Sequence, residues 1–191
     1  MRSRILLSMI ALLLVTQSCC CCAMLGGPQP PYSITPSDEA FERLIERLDQ
    51  ATSGPEGTFT ITVTDEEITS LVAHRFAALE QEGQPSPIRD PQVYFRNGRI
   101  EAYATLEFSE ALALPCMLAM TITIEDGAPV VTVEEVVVGP LSVPAALVQQ
   151  LTETIGQQIA AALSGERPGF VIVSVQIGDG QMTITGQTAP Q

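Results

Sequence analysis

The strongest constraint on the fold is the alternation of apolar and polar side chains along residues 93–138. Such a period of two is typical of β-strands that bury one face. Asn97-Gly98 lies between the first two alternating segments, and this dipeptide favours the tight turn of a β-hairpin. Glu134-Glu135 interrupts the last segment, so we expect a β-bulge or an exposed strand end there. The alternating segments are Val93–Phe95, Ile100–Phe108, Leu118–Ile124 and Pro129–Val138.

Apolar residues at helical spacing predict three helices around this β-rich region. The first begins at Thr35-Pro36, and the second begins at a capping box formed by Thr64 and Glu67. The longest opens at Pro144 and runs to about Leu163. Further strands are predicted at 58–64, 170–177 and 181–185. We therefore predict an α+β fold, in which a twisted, mainly antiparallel sheet packs around the long helix of the C-terminal half.

The N-terminus has the pattern of an export signal. Arg2 and Arg4 precede the uncharged, apolar segment Ile5–Val15. Small residues and then four cysteines follow, which predicts a bacterial lipoprotein whose lipid is attached at Cys19. An alternative is an uncleaved anchor over Ile5–Leu25, since this span is long enough to cross a bilayer. Both interpretations tether the chain to the extracytoplasmic face of a bacterial membrane.

Composition limits the partners of the mature chain. The whole sequence has a net charge of −13, and removing Arg2 and Arg4 with the signal makes it −15. No lysine is present, so no nucleic-acid partner is expected. Cys116 is the one cysteine outside the run at 19–22, so no disulfide forms within the mature domain. The expected organisation is an export signal at 1–22, a Gly/Pro-rich spacer at 23–36 and a single domain at 37–191.

Signals of an enzyme are absent from the sequence, and we expect no catalytic residue, metal or cofactor. His74 is the one histidine, no nucleophile or phosphate-binding motif occurs, and neighbouring cysteines cannot converge on one metal ion. Arg96 and Arg99 flank the predicted hairpin turn, where two guanidinium groups could hold a phosphate or carboxylate headgroup. The alternative is that these arginines are ordinary charged residues at a solvent-exposed turn and bind no ligand.

A second candidate site consists of apolar residues on the predicted sheet and the long helix. They form either an ordinary core or the lining of a groove for acyl chains. Periodicity alone does not separate these two outcomes. The residues are Leu118, Met120, Ile122, Val131, Val133, Leu147, Leu151, Ile155 and Ile159.

Four segments resemble bacterial envelope proteins of the YpmS-like and LmeA-like families. In chain order they are TDEEITSLV at 64–72, DPQVYF at 90–95, GPLSVP at 139–144 and VQIGDGQMTITG at 175–186. The resemblance covers most of residues 58–186 and implies a half-module similar to the tubular lipid-binding (TULIP) architecture. In that architecture, a twisted sheet wraps a long helix and encloses lipid tails. The resemblance brings no catalytic residues with it.

These observations predict a tethered envelope protein that binds a lipid or another apolar ligand between the sheet and the long helix. The alternative is a structural or protein-interaction module displayed on the cell envelope, whose protein partner is unknown. An envelope hydrolase ranks last, because it would need a buried polar cluster around His74 or Glu134.

Overall fold

The computed structural model describes residues 26–53, 57–84, 86–109, 112–125, 128–150, 152–153, 156–157 and 170–188. The described strands form two antiparallel sheets, and in the sequence one helix precedes the first strand while a second follows it. The helices are α1 (Asp38–Ser53) and α2 (Asp65–Gln81). The strands are β1 (Thr58–Thr64), β2 (Ile88–Arg96), β3 (Arg99–Ser109), β4 (Leu112–Glu125), β5 (Ala128–Val138), β6 (Leu141–Ser142), β7 (Phe170–Ile177) and β8 (Gln181–Thr188).

The larger sheet is a meander of five strands in the order β2-β3-β4-β5-β6. The smaller sheet has the order β1-β8-β7, so its central strand pairs with a strand from the start of the domain. This pairing joins Thr58 to Gln187 and Thr64 to Gln181. Because these partners are far apart in the sequence, local turn signals do not reveal the second sheet.

Local signals in the larger sheet are confirmed. Arg96 pairs with Arg99 across the predicted turn, and Asn97 and Gly98 both have positive φ angles, 52° and 77°. Positive φ at both central residues is the requirement of the type I′ hairpin turn. Ala119 pairs with Glu135 and Met120 with Val133, which leaves Glu134 as the extra residue of the expected bulge.

The predicted start of α2 is also confirmed. The Thr64 hydroxyl accepts a hydrogen bond from the Glu67 backbone N–H, and the Glu67 carboxylate accepts one from the Thr64 backbone N–H. This reciprocal pair satisfies two backbone donors at the helix start. Glu67 is 5% exposed and also forms ion pairs with Arg47 and Arg43 of α1. The capping carboxylate therefore joins the two helices.

The core lies where α1, the second half of β1, and the hairpin β2–β3 meet β8. Phe95 is fully buried and Leu44 is 1% exposed. Half-buried residues from α2, β4 and β7 pack against this cluster. The buried cluster consists of Leu44, Ile61, Val63, Val93, Phe95, Ile100 and Met182.

Side chains of α2 close the outer edge of β2. The Thr69 hydroxyl accepts a hydrogen bond from the Val93 backbone N–H at 2.9 Å and donates one to the Val93 carbonyl at 3.2 Å. The Asp65 carboxylate accepts a hydrogen bond from the Phe95 backbone N–H at 2.8 Å. Both side chains are buried. Backbone groups at a sheet edge would otherwise lack partners inside the protein, so α2 replaces the missing neighbouring strand.

The predicted fold class is wrong. The strands divide into two sheets, and no long helix packed on a sheet is present among the residues that the structure describes. After β6, helical residues are described at 145–150, 152–153 and 156–157. The prediction failed because periodicity identifies the buried face of each strand but does not say which sheet the strand joins. Within the described portion, none of the helices has the length and apolar character needed to span a bilayer.

Candidate ligand-binding cleft

An open cleft of about 520 Å³ lies between α2, the first half of β2 and the extended segment that precedes α1. Its size falls in the range of ~300–1,000 Å³ that is common for small-molecule sites. The lining residues are Ser33, Ile34, Thr35, Pro36, Ala73, Phe76, Ala77, Glu80, Ile88, Arg89, Asp90, Pro91 and Gln92.

The helix supplies one wall through residues on a single face. Ala73, Phe76, Ala77 and Glu80 are spaced three and four positions apart, so their side chains line up along α2. Phe76 provides the largest apolar surface on this wall, and the two alanines leave room beside it. Glu80 places a carboxylate at the end of the same row.

Strand β2 supplies the opposite wall at a bend. Its pairing with β3 shifts between Arg89 and Gln92, and Asp90 has a positive φ angle of 49°. Pro91 has no backbone N–H to donate to a ladder, which suits it to such an irregular position. A bulge bends the strand that carries it, and the cleft lies at this bend. Positive φ at a residue other than glycine is uncommon and concentrates at functional sites.

The rim of the cleft is acidic. Arg89 forms ion pairs with Glu80 and with Glu107, the latter at 3.0 Å between Nε and Oε2. Hydrogen bonds to these two carboxylates raise the pKa of the Arg89 guanidinium. Asp90 adds a third, exposed carboxylate. One cation thus faces three anions, so the rim favours a neutral or cationic group over an anionic one.

The third wall belongs to the segment before α1, which is bonded to the domain at several points. The Ile34 backbone N–H donates to Gln92 Oε1 at 3.0 Å, and the Ser37 backbone N–H donates to Ser70 Oγ at 3.1 Å. The Tyr32 hydroxyl donates to the Asp65 carboxylate. These contacts hold residues 32–37 against α2 and β2, and so fix the wall.

The three tyrosines of the chain form one cluster beside this wall. Tyr94 is fully buried, and its ring meets those of Tyr32 and Tyr103 edge to face, with centroid distances of 4.9 Å and 5.6 Å. The Tyr94 hydroxyl donates to Gln92 Oε1 at 2.6 Å, so the cluster is linked to the cleft. The hydrogen bond to Asp65 raises the pKa of Tyr32 to about 12, and burial raises that of Tyr94 to about 12.

The buried carboxylates of the described chain all have structural partners. Asp65 accepts a hydrogen bond from the Phe95 backbone N–H at the edge of β2, and Glu67 accepts one from the Thr64 backbone N–H at the start of α2. Glu101 accepts hydrogen bonds from Arg99 at 2.9 Å and Tyr103 at 3.1 Å. Each is about 5% exposed. An acid or base in catalysis needs access to a substrate proton, and these groups are occupied by the fold itself.

The two residues on which a hydrolase would depend lie near the surface. The His74 side chain is 39% exposed, with Nε2 2.8 Å from Asp38 Oδ1 and its ring stacked on Phe41. The Glu134 side chain is 41% exposed and lies 3.9 Å from Arg99. Across the described ranges, no group of three or more His, Cys, Asp or Glu side chains is arranged to hold a metal ion.

The predicted apolar lining lies away from this cleft. Met120 and Ile122 pack against the buried core, Val131 and Val133 are buried, and Leu118 is half-buried. Leu147 is 50% exposed on the helical segment after β6. That segment meets the sheet where the Val133 backbone N–H donates to Thr152 Oγ1 at 3.2 Å. Leu151, Ile155, Ile159 and the predicted lipid-anchor residue Cys19 lie outside the described residues.

The predicted headgroup arginines are neighbours across the hairpin, but their surroundings differ from the expectation. Arg99 lies 2.8 Å from Glu101 and 3.9 Å from Glu134, and these carboxylates raise the pKa of its guanidinium. Arg96 is half-buried beside Tyr32 and Tyr103. The Arg99 donors therefore already face anionic partners.

Cys116 is half-buried, and burial raises the pKa of its thiol.

No family model, curated protein or solved structure matches the chain. The resemblance to YpmS-like and LmeA-like proteins therefore stays a prediction. Sequence reasoning missed the cleft because Ala73 and Ala77 were not distinguished from the rest of an amphipathic helix. The available signal was Asp90-Pro91, since a proline inside a strand marks an edge or a bulge.

Proposed function

We propose that the chain is a membrane-tethered, extracytoplasmic binding protein, whose cleft between α2 and β2 takes an amphipathic ligand without transforming it. The observation that carries the proposal is the cleft itself. It combines a ligand-sized volume with an apolar wall around Phe76 and a charged rim at one end. Six of the thirteen lining residues are polar or charged, and polar groups beside an apolar surface fix the orientation of a bound small molecule.

The walls indicate the chemistry of the ligand. Ile34, Pro36, Phe76, Ile88 and Pro91 offer surface for an acyl or prenyl chain. The rim offers Glu80, Arg89 and Asp90, with more carboxylates than cations. A lipid with a neutral, zwitterionic or cationic headgroup fits this arrangement, whereas an anionic headgroup would meet repulsion.

The N-terminal sequence supports the location. Arg2, Arg4 and the apolar segment Ile5–Val15 have the order of an export signal, and the cysteines that follow offer a lipid attachment point. A net charge of −15 after removal of the signal gives no electrostatic attraction to anionic lipids. A covalent or transmembrane tether is therefore the means by which such a domain stays at a membrane.

Native mass spectrometry of the full chain, produced in a bacterium that exports and lipidates proteins and purified in a mild detergent, tests the proposal. We expect a retained lipid or apolar small molecule. The variant Ala77→Phe fills the cleft from the helix wall, so the ligand signal should be lost. Ala146→Phe is the matched control, because Ala146 is also exposed and helical but lies outside the cleft.

Two results would contradict ligand binding in the cleft. The first is the absence of any retained molecule from the unmodified chain. The second is equal retention by the Ala77→Phe and Ala146→Phe variants, which would move the binding surface elsewhere. Circular dichroism of both variants should match that of the parent, so that loss of ligand is not mistaken for loss of folding.

A second candidate function is the protein-interaction module, and an edge strand favours it. β7 lies at the edge of the smaller sheet, and Val171 and Val173 on this strand are 44% and 46% exposed. An exposed apolar edge strand can pair with a strand from another protein. A crosslinked, stoichiometric partner that disappears in a Val171→Lys, Val173→Lys variant, together with an empty cleft, would favour this function over ligand binding.

A further inference from the structure

One end of the larger sheet carries large apolar side chains in contact with solvent. Phe108 near the end of β3 is 61% exposed, Leu112 at the start of β4 is 44% exposed, and Leu141 on β6 is 70% exposed. We call these three residues the apolar tip. Isolated exposed apolar residues are ordinary, but a group of large ones at one end of a domain marks an interaction surface.

Strand register places Leu112 and Leu141 on the same face of the sheet, and Phe108 lies beside Leu112 at a β-bulge. Leu106 pairs with Leu114, and Leu112 lies two residues from Leu114, on the face of that pair. The pairing of β3 with β4 shifts between Glu107 and Ser109, and Ser109 pairs with Leu112, which leaves Phe108 as the extra residue. Leu141 pairs with Val138, and Val138 pairs with Cys116, two residues from Leu114. Leu112 and Leu141 therefore lie on the apolar face of the sheet that contains Leu114 and Cys116.

The first described residues of the chain lie at this same end. A methyl group added to Gly27 would approach Cγ of Pro115 to 2.5 Å and the carbonyl oxygen of Gly139 to 2.9 Å, so the backbone there is seated closely on β4 and the turn before β6. Pro115 is three residues from Leu112 along β4, about 10 Å. Cys19, the predicted lipid attachment point, is eight residues before Gly27, a reach of at most about 29 Å.

We propose that the apolar tip contacts the lipid bilayer to which the N-terminus is tethered. The proposal rests on the tether in the proposed function and adds the orientation of the domain. A tether limits the distance of this end from the membrane, but it leaves rotation free. Burial of exposed apolar side chains in the bilayer interface supplies the second contact that fixes orientation.

Docking at the tip would bring the candidate cleft to the lipid surface. Ile88 in the cleft wall pairs with Leu106, two residues before Phe108. Arg89 at the rim binds Glu107, the residue next to Phe108. Part of the cleft wall therefore lies close to the tip, so docking would bring it near the lipid from which an amphipathic molecule could enter.

The chain contains no tryptophan, so one introduced tryptophan reports its own position. The experiment uses the full chain reconstituted into phosphatidylcholine vesicles, with or without bromine on the acyl chains as a fluorescence quencher. Leu112→Trp places the reporter at the tip. Glu125→Trp is the control, because Glu125 is an exposed residue at the other end of the same strand, about 40 Å away.

We expect both variants to float with the vesicles, and brominated lipid to remove most of the fluorescence of Leu112→Trp and none of that of Glu125→Trp. Adding Phe108→Asp and Leu141→Asp to Leu112→Trp should abolish most of the quenching while flotation persists. Persistent quenching in that triple variant would mean that the tether alone brings the tip near lipid, and would overturn docking.

The remaining outcomes separate the two proposals. Flotation without quenching of Leu112→Trp overturns tip docking and leaves the tether intact. Equal quenching at both reporters also overturns it, because the domain would then have no preferred end. If Leu112→Trp is not quenched and the parent chain forms dimers that are lost when Leu112 is replaced, the tip would bind a second copy of the chain instead of the bilayer. Failure to float overturns both the tether and the docking that rests on it.

Discussion

Replacing Thr69 by valine would test how the outer edge of β2 is closed. Thr69 is fully buried, and its hydroxyl serves both the N–H and the carbonyl of Val93, at 2.9 Å and 3.2 Å. Valine has nearly the same shape, so the change removes two hydrogen bonds without opening a cavity. It leaves two buried backbone groups of an edge strand without partners.

The expected loss follows from those two groups. A buried donor or acceptor left unsatisfied costs about 1–3 kcal/mol, so the loss of two partners in Thr69→Val should lower the free energy of unfolding by about 2–6 kcal/mol. In a domain of this size each kcal/mol lowers Tm by roughly 2–4 °C, and we expect a decrease of about 4–24 °C. Thermal unfolding of the full chain in detergent, followed by circular dichroism, measures it.

Two controls make the result specific to the edge of β2. Thr69→Ser keeps the hydroxyl and removes one methyl group, so it should lose only about 1 kcal/mol. Thr60→Val makes the same chemical change on the exposed face of β1, where Thr60 lies near Thr185, and should change stability by less than about 0.5 kcal/mol. If Thr69→Val were no less stable than Thr60→Val, the hydroxyl would not close the edge.

Three further predictions address the tyrosine cluster, the core and the smaller sheet. The pKa values of Tyr32 and Tyr94 are raised from 10.0 to about 12. The contribution of these two neutral hydroxyl groups to folding stability is therefore complete below pH 10 and is lost as the pH rises from 10 to 12. A titration of tyrosinate absorbance in which all three tyrosines ionise near pH 10 would contradict this prediction. Leu44→Ala should cost about 2–5 kcal/mol in thermal unfolding, because Leu44 is 1% exposed in the core. Gly186→Ala should cost about 1–3 kcal/mol, because the added methyl group would meet the Phe59 ring. Adding Phe59→Ala to Gly186→Ala should remove the clash, so the double variant should lose less stability than the sum of the two single variants. A loss equal to that sum would show that the methyl group does not clash with the Phe59 ring.

The features that could be predicted from sequence are those with local causes. The turn at Asn97-Gly98 requires positive φ at two neighbouring residues, and few dipeptides adopt it so readily. The capping box of Thr64 and Glu67 forms within one helical turn. Glu134-Glu135 places two charged residues in succession within an apolar strand, so the bulge at Glu134 was visible as an interruption.

The features that could not be predicted depend on partners distant in the sequence. Residues 58–64 and 181–188 each have the pattern of a strand, but nothing in either segment indicates that they pair with each other. Thr69 is a polar residue of the kind expected on the exposed face of an amphipathic helix. It is nevertheless buried, because the edge of β2 lies beside it. A side chain satisfied by a distant backbone leaves no periodic signal.

Composition was also an incomplete guide to the segment before α1. Proline and glycine in residues 26–36 prevent regular structure, and this led to the expectation of an extended link. Absence of regular structure does not exclude specific contacts. Tyr32 bonds to Asp65 and the Ile34 N–H bonds to Gln92, which turns the segment into a wall of the cleft.

The distribution of charge gives the proposed orientation an electrostatic reason. A domain of net charge −15 is repelled by an anionic bilayer, but this repulsion decays over about 8–10 Å at physiological ionic strength. Glu107, the carboxylate next to Phe108, is paired with Arg89. Glu101 lies seven residues from Phe108 along β3, about 23 Å and more than two decay lengths away. Contact through the apolar tip thus keeps the carboxylates at the far end of β3 out of range, whereas contact through the Asn97-Gly98 turn would bring them close. Glu110 lies between Phe108 and Leu112 in the sequence, and Asp90 lies at the acidic rim of the cleft beside the tip, so some repulsion remains. Because salt screens this repulsion, quenching of the Leu112→Trp reporter in anionic vesicles should increase with added salt.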